Sequence, residues 1–316
     1  MESNAGLIEL AQLVRNDFVE SRHFGSLFIC DKDGAVLLSL GDVAQPVFPR
    51  SAVKPFQAIA MVRNGLDLPD RLLALSAASH SGSDLHVAGV KAILATAGLT
   101  EGDLQCPLDR PYGDTERKEY GTTSPSRIVH NCSGKHASML VTSVINGWPI
   151  DSYLDPKHPL QLAIRADLEA VAQEEVAATG VDGCGAPLFA ISLIGLARAF
   201  STLTTSEDSS TIKVARAMRA FPEMVAGEKR FTTELMRLVP GLLVKEGAEG
   251  VEAAVDQNGN AIAFKIIDGS MRAIPPVLIE SLGQLGIGQD SLTELGKVPV
   301  LGGGRPVGEI RAMPLS

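Results

Sequence analysis

No apolar run in this sequence approaches the roughly 20 residues that cross a bilayer; residues 191–197 are among the longest. A transmembrane helix is therefore excluded, and the hydrophobic 45% of the chain belongs to a core. Basic clusters are missing as well. Lysine and arginine are scattered singly in a chain of formal charge −9, which leaves no face for a phosphate backbone and excludes nucleic acid as a partner. Cysteine is scarce: Cys30, Cys106, Cys132 and Cys184 cannot staple a disulfide scaffold of 316 residues. In a reducing compartment such thiols stay free or bind metal. The first twenty residues mix acidic, basic and apolar side chains and lack the basic-then-apolar order of a secretion signal, so a soluble, cytoplasmic protein is expected. There is no internal repeat, long linker or low-complexity tract.

What is present alternates by region. Residues 26–30 and 35–40 are apolar runs on either side of Asp31-Lys32-Asp33-Gly34, a hairpin signal. Residues 251–255 and 261–267 repeat the arrangement around Asp256-Gln257-Asn258-Gly259-Asn260, and 307–311 offers a further strand. Between these ends, residues 56–64, 84–97, 159–179, 188–200, 210–221 and 232–238 have helical patterns, and 202–210 reads as a polar loop. Strands that begin and end a chain commonly share a sheet. The expected fold class is α/β: a mixed sheet built from both chain ends and covered by helices, with a helical lobe from the middle, forming one catalytic unit over residues 1–316.

Arg50-Ser51-Ala52-Val53-Lys54-Pro55 sets a serine and a lysine three apart at the start of a predicted helix, on one face. A serine hydroxyl is a poor nucleophile until a neighbour removes its proton, and a desolvated lysine one turn away can do so. A helix N-terminus adds backbone N–H groups suited to an oxyanion. Ser-x-x-Lys nevertheless arises about once by chance in a chain of this size. Ser210 and Lys213 form a second copy, which reads as an N-cap and an exposed lysine.

Ser79-His80-Ser81-Gly82-Ser83-Asp84 follows an apolar run and precedes a helix; Ser79 is placed to face a cleft, and N-capping is the simpler alternative. His80 is assigned no proton transfer. Asn131-Cys132-Ser133-Gly134-Lys135-His136 and Asp182-Gly183-Cys184-Gly185 each put a thiol in a glycine-containing loop. Two thiolates, a carboxylate and a nitrogen donor suit tetrahedral zinc, although two ordinary buried thiols read equally well. Gly134-Lys135 lacks the partner glycine and the Ser/Thr of a P-loop, which rejects nucleotide binding.

Together these segments resemble the asparaginase II family, the serine/lysine or rhizobial type. The resemblance also includes Glu20-Ser21-Arg22-His23, Pro222 through Glu228, Gly247-Ala248-Glu249-Gly250, Phe264-Lys265-Ile266-Ile267-Asp268-Gly269 and Val307 through Arg311, so it covers nearly the whole chain. It implies a fold similar to serine glutaminases and serine β-lactamases, and hydrolysis of L-asparagine to L-aspartate and ammonia. It implies two serine/lysine couples, Ser51 with Lys54 and Ser79 with Lys265, either of whose serines could be the nucleophile. It further implies a zinc site of Cys132, Lys135, Asp182 and Cys184. Because two serine/lysine couples already supply the chemistry, the ion is expected to orient substrate, and Arg50 and His136 are expected as substrate contacts. Gly185 departs from relatives with a larger polar residue and leaves substrate choice open. A homodimer is the default assembly. A penicillin-binding or β-lactam-hydrolysing enzyme shares Ser-x-x-Lys, but Ser-Asp-Asn and Lys-Thr-Gly are absent. A zinc hydrolase and a non-catalytic amino-acid sensor are the remaining alternatives.

Overall fold

A computed structural model describes residues 6–315. In chain order the strands are β1 (Ile8–Arg15), β2 (Phe18–Cys30), β3 (Val36–Leu40), β4 (Ala178–Val181), β5 (Pro187–Ala190), β6 (Leu243–Gly247), β7 (Val251–Val255), β8 (Ala261–Ile266), β9 (Val298–Gly302) and β10 (Arg305–Ala312). The helices are α1 (Lys54–Arg63), α2 (Asp70–Ser76), α3 (Asp84–Ala95), α4 (Asp114–Tyr120), α5 (Ser133–Ile145), α6 (Pro159–Ala172), α7 (Leu193–Thr205), α8 (Ser209–Ala220), α9 (Pro222–Val225), α10 (Phe231–Leu238), α11 (Ile274–Gln284) and α12 (Asp290–Leu295). None of the helices among the described residues is long and apolar enough to cross a membrane.

The chain forms two compact units. One comprises the described residues of Met1–Ala52, Ile191–Thr205 and Glu234–Ser316; the other comprises Val53–Ala190 and Ser206–Thr233. The first holds a sheet in the order β6-β7-β8-β2-β1-β10-β9, with β3 on β2. Its strands come from both ends of the chain, as expected, and every pairing among the described residues is antiparallel where a mixed sheet was expected. The turns explain this. Asn16 and Asp17 both take positive φ, the backbone of a tight two-residue hairpin between β1 and β2. After β2, Asp31 Oδ1 accepts from the Asp33 and Ala35 amides at 2.9 and 2.8 Å; after β7, Asp256 Oδ1 accepts from Asn258 and Asn260, both at 2.8 Å. Each turn folds its strand straight back. Helix α7 covers β2, β7 and β8, and α11 lies on β1 and β10. Leu27, Ile29, Phe264 and Leu278 are buried there, each contributing about 1.5–3 kcal/mol of transfer free energy.

The second unit is helical except for the β4–β5 hairpin. Helix α1 is buried from Lys54 to Met61 and packs against α5, α6 and α8. Helix α5, which the sequence patterns do not predict, is buried from Ser133 to Ser143 despite its hydroxyls. Ser138, Thr142 and Ser143 donate to the carbonyls of Gly134, Ser138 and Met139 at 2.9, 2.7 and 2.9 Å, which satisfies them without water. Gly134 is required by its surroundings: a Cβ there would lie 2.5 Å from the Leu75 carbonyl oxygen of α2.

Two expected helices are redrawn. Residues 188–200 divide into β5 and α7, because a short buried apolar run fits either period; Ser192 Oγ accepts from the Gly195 amide at 2.9 Å and starts the helix. The expected helix over 159–179 stops at Ala172, where Gln173 takes the left-handed conformation, and β4 follows.

Candidate active site

Lys54 opens α1 and is 1% exposed. Its Nζ lies 2.6 Å from the Ala78 carbonyl oxygen, 3.1 Å from Ser79 Oγ and 3.1 Å from Cys132 Sγ. The loop that presents Ser79 is fixed through its backbone. The amides of Ser79, His80 and Ser81 donate to the carbonyls of Val225, Asn131 and Ala226 at 2.9, 3.1 and 2.7 Å. Gly82 has φ 83°, and a Cβ would lie 2.9 Å from the Val129 carbonyl oxygen.

His80 is structural. Its Nδ1 accepts from the Gly82 amide at 3.1 Å, so Nε2 carries the hydrogen and donates to Ser133 Oγ at 2.9 Å. Burial, reinforced by His86, Lys54 and His130, pushes His80 well below the ordinary imidazole range. The ring stacks on His86 with centroids 4.9 Å apart, and His86 accepts through Nδ1 from the Ser83 amide at the N-terminus of α3. In this loop Ser83 caps α3, while Ser79 is buried and faces Lys54.

Next to Lys54 is a thiol pair. Cys132 sits at the start of α5; Cys184 sits in the β4–β5 loop, where the Asp182 amide donates to Ala186 at 2.9 Å and Gly185 takes φ 88°. The cysteines are free, buried and within hydrogen-bonding reach of each other. Lys135 Nζ is 3.2 Å from Cys184 Sγ, and Cys184 Sγ is 3.6 Å from Asp182 Oδ2. The hydrogen bond from Cys132 and the charge of Lys135 hold the Cys184 thiol well below the usual range, against its burial. The same bond and burial push Cys132 up. Burial opposes the charge of Lys135, but Cys184, Cys132 and Asp182 together outweigh it and raise the lysine.

His136 is wholly buried beside this pair. Tyr153 Oη accepts from the Gln105 amide at 3.0 Å and donates to His136 Nδ1 at 2.8 Å. That leaves Nε2 carrying hydrogen, turned toward Cys184 without a regular hydrogen bond. No three His, Cys, Asp or Glu side chains among the described residues form a metal-holding group, so an ion here would need the Lys135 amine.

Arg50, Ser51 and Lys265 belong to the sheet-bearing unit. Ser51 lies in a 3-10 turn, Arg50–Val53, that leads into the helix instead of being part of it. Arg50 just before it has φ 55°, a left-handed conformation that costs a non-glycine residue about 1–3 kcal/mol. Gly247 leaves room for this segment, since a Cβ would lie 2.3 Å from the Pro49 carbonyl oxygen. Lys265 donates through Nζ to the carbonyls of Glu249 and Ile266, the latter at 2.9 Å. Burial and Arg50 lower its proton affinity; Glu249 and Asp268 oppose them.

The contact between Lys54 and Cys132 has no sequence signal, because the two are 78 positions apart in no common motif. Tyr153 and Gln105, which orient His136, stand outside every motif for the same reason.

A family model for L-asparaginase II matches residues 11–312. No curated protein is similar enough to match. Among solved structures, a β-lactamase from Mycobacterium bovis is 16% identical with a TM-score of 0.43, over 79% of this chain and 89% of its own. Mglu in its native form is 13% identical with a TM-score of 0.35, over 85% of this chain and 63% of its own. Both structural likenesses are faint, while the family match spans the sheet, the serine loop and the thiol pair. The chain belongs to the L-asparaginase II family and is an amidohydrolase of the asparaginase type.

Proposed function

We propose that the protein hydrolyses L-asparagine to L-aspartate and ammonia through a serine ester, with Lys54 as the base. The observation that carries this is the Lys54 amine, sealed from solvent and 3.1 Å from Ser79 Oγ. An uncharged amine there has two hydrogens and one lone pair. Two hydrogens suit the Ala78 carbonyl and the Cys132 sulfur, and the lone pair suits the Ser79 hydroxyl, so a proton can pass between oxygen and nitrogen without rearrangement.

Ser51 enters as nucleophile on its three-residue spacing from Lys54. Its oxygen attacks the side-chain carbonyl of asparagine, its proton goes to Lys54, and Ser79 passes a proton to the departing amine. Ammonia leaves, and water hydrolyses the β-aspartyl ester to regenerate the serine. Lys265 contributes charge to this proton path. A second reading makes Ser79 the nucleophile, which its direct contact with Lys54 favours. Arg50 is the proposed contact for the substrate carboxylate and His136, through Nε2, a contact for a substrate acceptor.

Zinc fits the thiol pair by donor chemistry. Tetrahedral bonds of about 2.3 Å to sulfur place neighbouring ligand atoms roughly 3.5–3.8 Å apart. Two thiols packed together and an amine 3.2 Å from one of them supply soft and nitrogen donors near that spacing. Cys132, Cys184 and Lys135 would hold the ion, Lys135 as a deprotonated amine, with Asp182 beside Cys184. Bound there, it would supply a Lewis-acid anchor for the amino-acid end of the substrate. A cytoplasmic homodimer is the proposed setting.

Steady-state ammonia release from asparagine and from glutamine, by wild type and by Ser51→Ala and Ser79→Ala, tests the reading. Multiple turnovers on asparagine with loss in both variants support it. A single stoichiometric burst would instead identify a binding protein, full activity in both variants would identify metal-bound hydroxide as the nucleophile, and enzyme-like hydrolysis of a chromogenic β-lactam would point to the β-lactamase class. An ester adduct found by intact mass in one alanine variant and not the other locates the nucleophile.

A further inference from the structure

We propose that Ser83 and His86 form a second nucleophile and base pair, set at the wall of an acidic cleft in the helical unit and suited to small carboxylic esters that carry a positive charge. The proposal does not depend on the reading of the asparagine site.

The pair sits where α3 begins. The Ser83 amide, which only donates, reaches His86 Nδ1 at 3.3 Å, so that nitrogen carries no hydrogen. Ser83 Oγ lies 2.7 Å from the same nitrogen and therefore donates its hydrogen to it. Nε2 carries the ring hydrogen and donates to the Glu223 carbonyl of α9 at 2.9 Å. A hydroxyl within about 2.6–3.2 Å of a base, with the base oriented by a third group, is the arrangement that activates a serine.

Capping accounts for part of this, since Ser83 and His86 close a capping box. It does not account for the rest. A capping box needs an acceptor at the third helical position and has no use for the opposite ring nitrogen, yet Nε2 is anchored on another helix and the ring is stacked on His80. The ring is 1% exposed, whereas Ser83 is half-buried, so the base is inside and the hydroxyl is at the surface. Burial lowers the proton affinity of His86; Arg230 and Arg71 add to this, and the Glu223 carbonyl and Glu228 oppose it. The ring is thereby kept neutral and able to accept.

Ser83 lines a cleft of about 530 Å³, within the size range of small-molecule sites. Asp84, Glu116 and Glu119 are the charged side chains of its wall and Tyr120 is the aromatic one; among the described residues no lysine or arginine lines it. Such a wall favours a ligand of net positive charge, which separates its occupants from the zwitterion asparagine. Helix α3, 12 residues long, starts at this wall, and its first-turn amides favour the negative oxygen of a tetrahedral intermediate. In the reaction, Ser83 Oγ bonds to the ester carbonyl carbon and its proton passes to His86 Nδ1. The ester C–O bond breaks, and the alcohol leaves with that proton. Water then adds to the acyl serine and releases the carboxylic acid and free Ser83.

The test labels the full-length enzyme with an uncharged fluorophosphonate and locates the adduct by peptide mass spectrometry, with acetylthiocholine hydrolysis as the turnover assay. Ser83 should be modified in the wild type and in a Ser51→Ala/Ser79→Ala double variant, which separates this pair from the asparagine site. His86→Gln keeps an acceptor at the third helical position, as a capping box requires, and removes the base; labelling of Ser83 should slow by about 10²-fold or more. Glu116→Gln combined with Glu119→Gln should lower kcat/KM for acetylthiocholine by about tenfold more than for uncharged phenyl acetate. No adduct at Ser83, or equal labelling rates in wild type and His86→Gln, overturns the proposal. Should His86→Gln fail to fold, the wild-type rate decides: labelling of Ser83 no faster than that of other exposed serines overturns the pair. A modified Ser83 with no loss of cationic preference in the glutamate variant overturns the assigned substrate class.

Discussion

Lys54 and Lys265 are two buried or half-buried amines with different surroundings. Lys54 lies among side chains that exchange protons, a hydroxyl and a thiol, with one carbonyl to anchor it. Lys265 is anchored by two carbonyls, and its proton affinity is lowered by burial and Arg50 against the opposing charges of Glu249 and Asp268. The helical unit thus holds a lysine against a hydroxyl and a thiol, which the proposed reading makes a proton path, and the sheet unit holds one against two carbonyls at the end of a strand. The same side chain has different surroundings in the two units because different groups meet its nitrogen.

Several substitutions would break or sharpen that contrast. The largest effect is expected from Lys54→Met, which should lower kcat for asparagine by about 10³-fold, as loss of a general base does, whereas Lys265→Met should cost roughly tenfold to a hundredfold. Equal losses measured by ammonia release would erase the distinction. Ser79→Ala should lie between them, near 10²-fold, because Lys54 loses its hydroxyl partner and keeps the Ala78 carbonyl.

Stability against pH should separate the units next. His130 is pushed down to about 4, by burial first and then by His136, and its Nδ1 accepts from the Cys132 amide. Its folded-state value lies below the unfolded one, so the unfolded chain binds the extra proton. The contribution is complete above pH 6.5 and is lost as the pH falls toward 4, about 3 kcal/mol in all. Urea midpoints over that interval should drop in the wild type and drop less in His130→Gln. A flat midpoint would show that the helical interior is open to protons.

Glycine substitutions give the smallest contrast. Gly134→Ala drives a methyl toward the Leu75 carbonyl and should destabilise by about 1–3 kcal/mol. Gly283→Ala, in α11 of the sheet unit, meets no atom within 4 Å and should stabilise by about 0.5–1 kcal/mol. Denaturant midpoints of opposite sign are the expected outcome.

The sheet was readable where a turn announced it. Asp31 and Asp256 fold their strands back through their own side chains, and both hairpins are visible as a short polar loop between apolar runs. Helix α5 was not readable, because Ser133, Gly134, Ser138, Thr142 and Ser143 lower its helix signal, and only tertiary burial makes their back-bonded hydroxyls acceptable. Residues 188–200 read as one helix because a buried four-residue strand and a helix share the same apolar composition. For the candidate site, local wording pointed to Ser51, Lys54, Ser79, Cys132, Lys135 and Cys184 one segment at a time. Their partners are a matter of folding: Lys54 reaches Cys132 and Lys135 reaches Cys184 across 78 and 49 positions.

Because Lys54 touches Ser79 and Cys132 at the same distance, events at the sulfur are felt at the hydroxyl. Alkylating Cys132, or drawing its electrons toward a cation, removes one neighbour from the amine and alters how readily it takes a proton from the oxygen. If the proposed serine chemistry holds, thiol reagents would then act as inhibitors with no cysteine in the bond-breaking step.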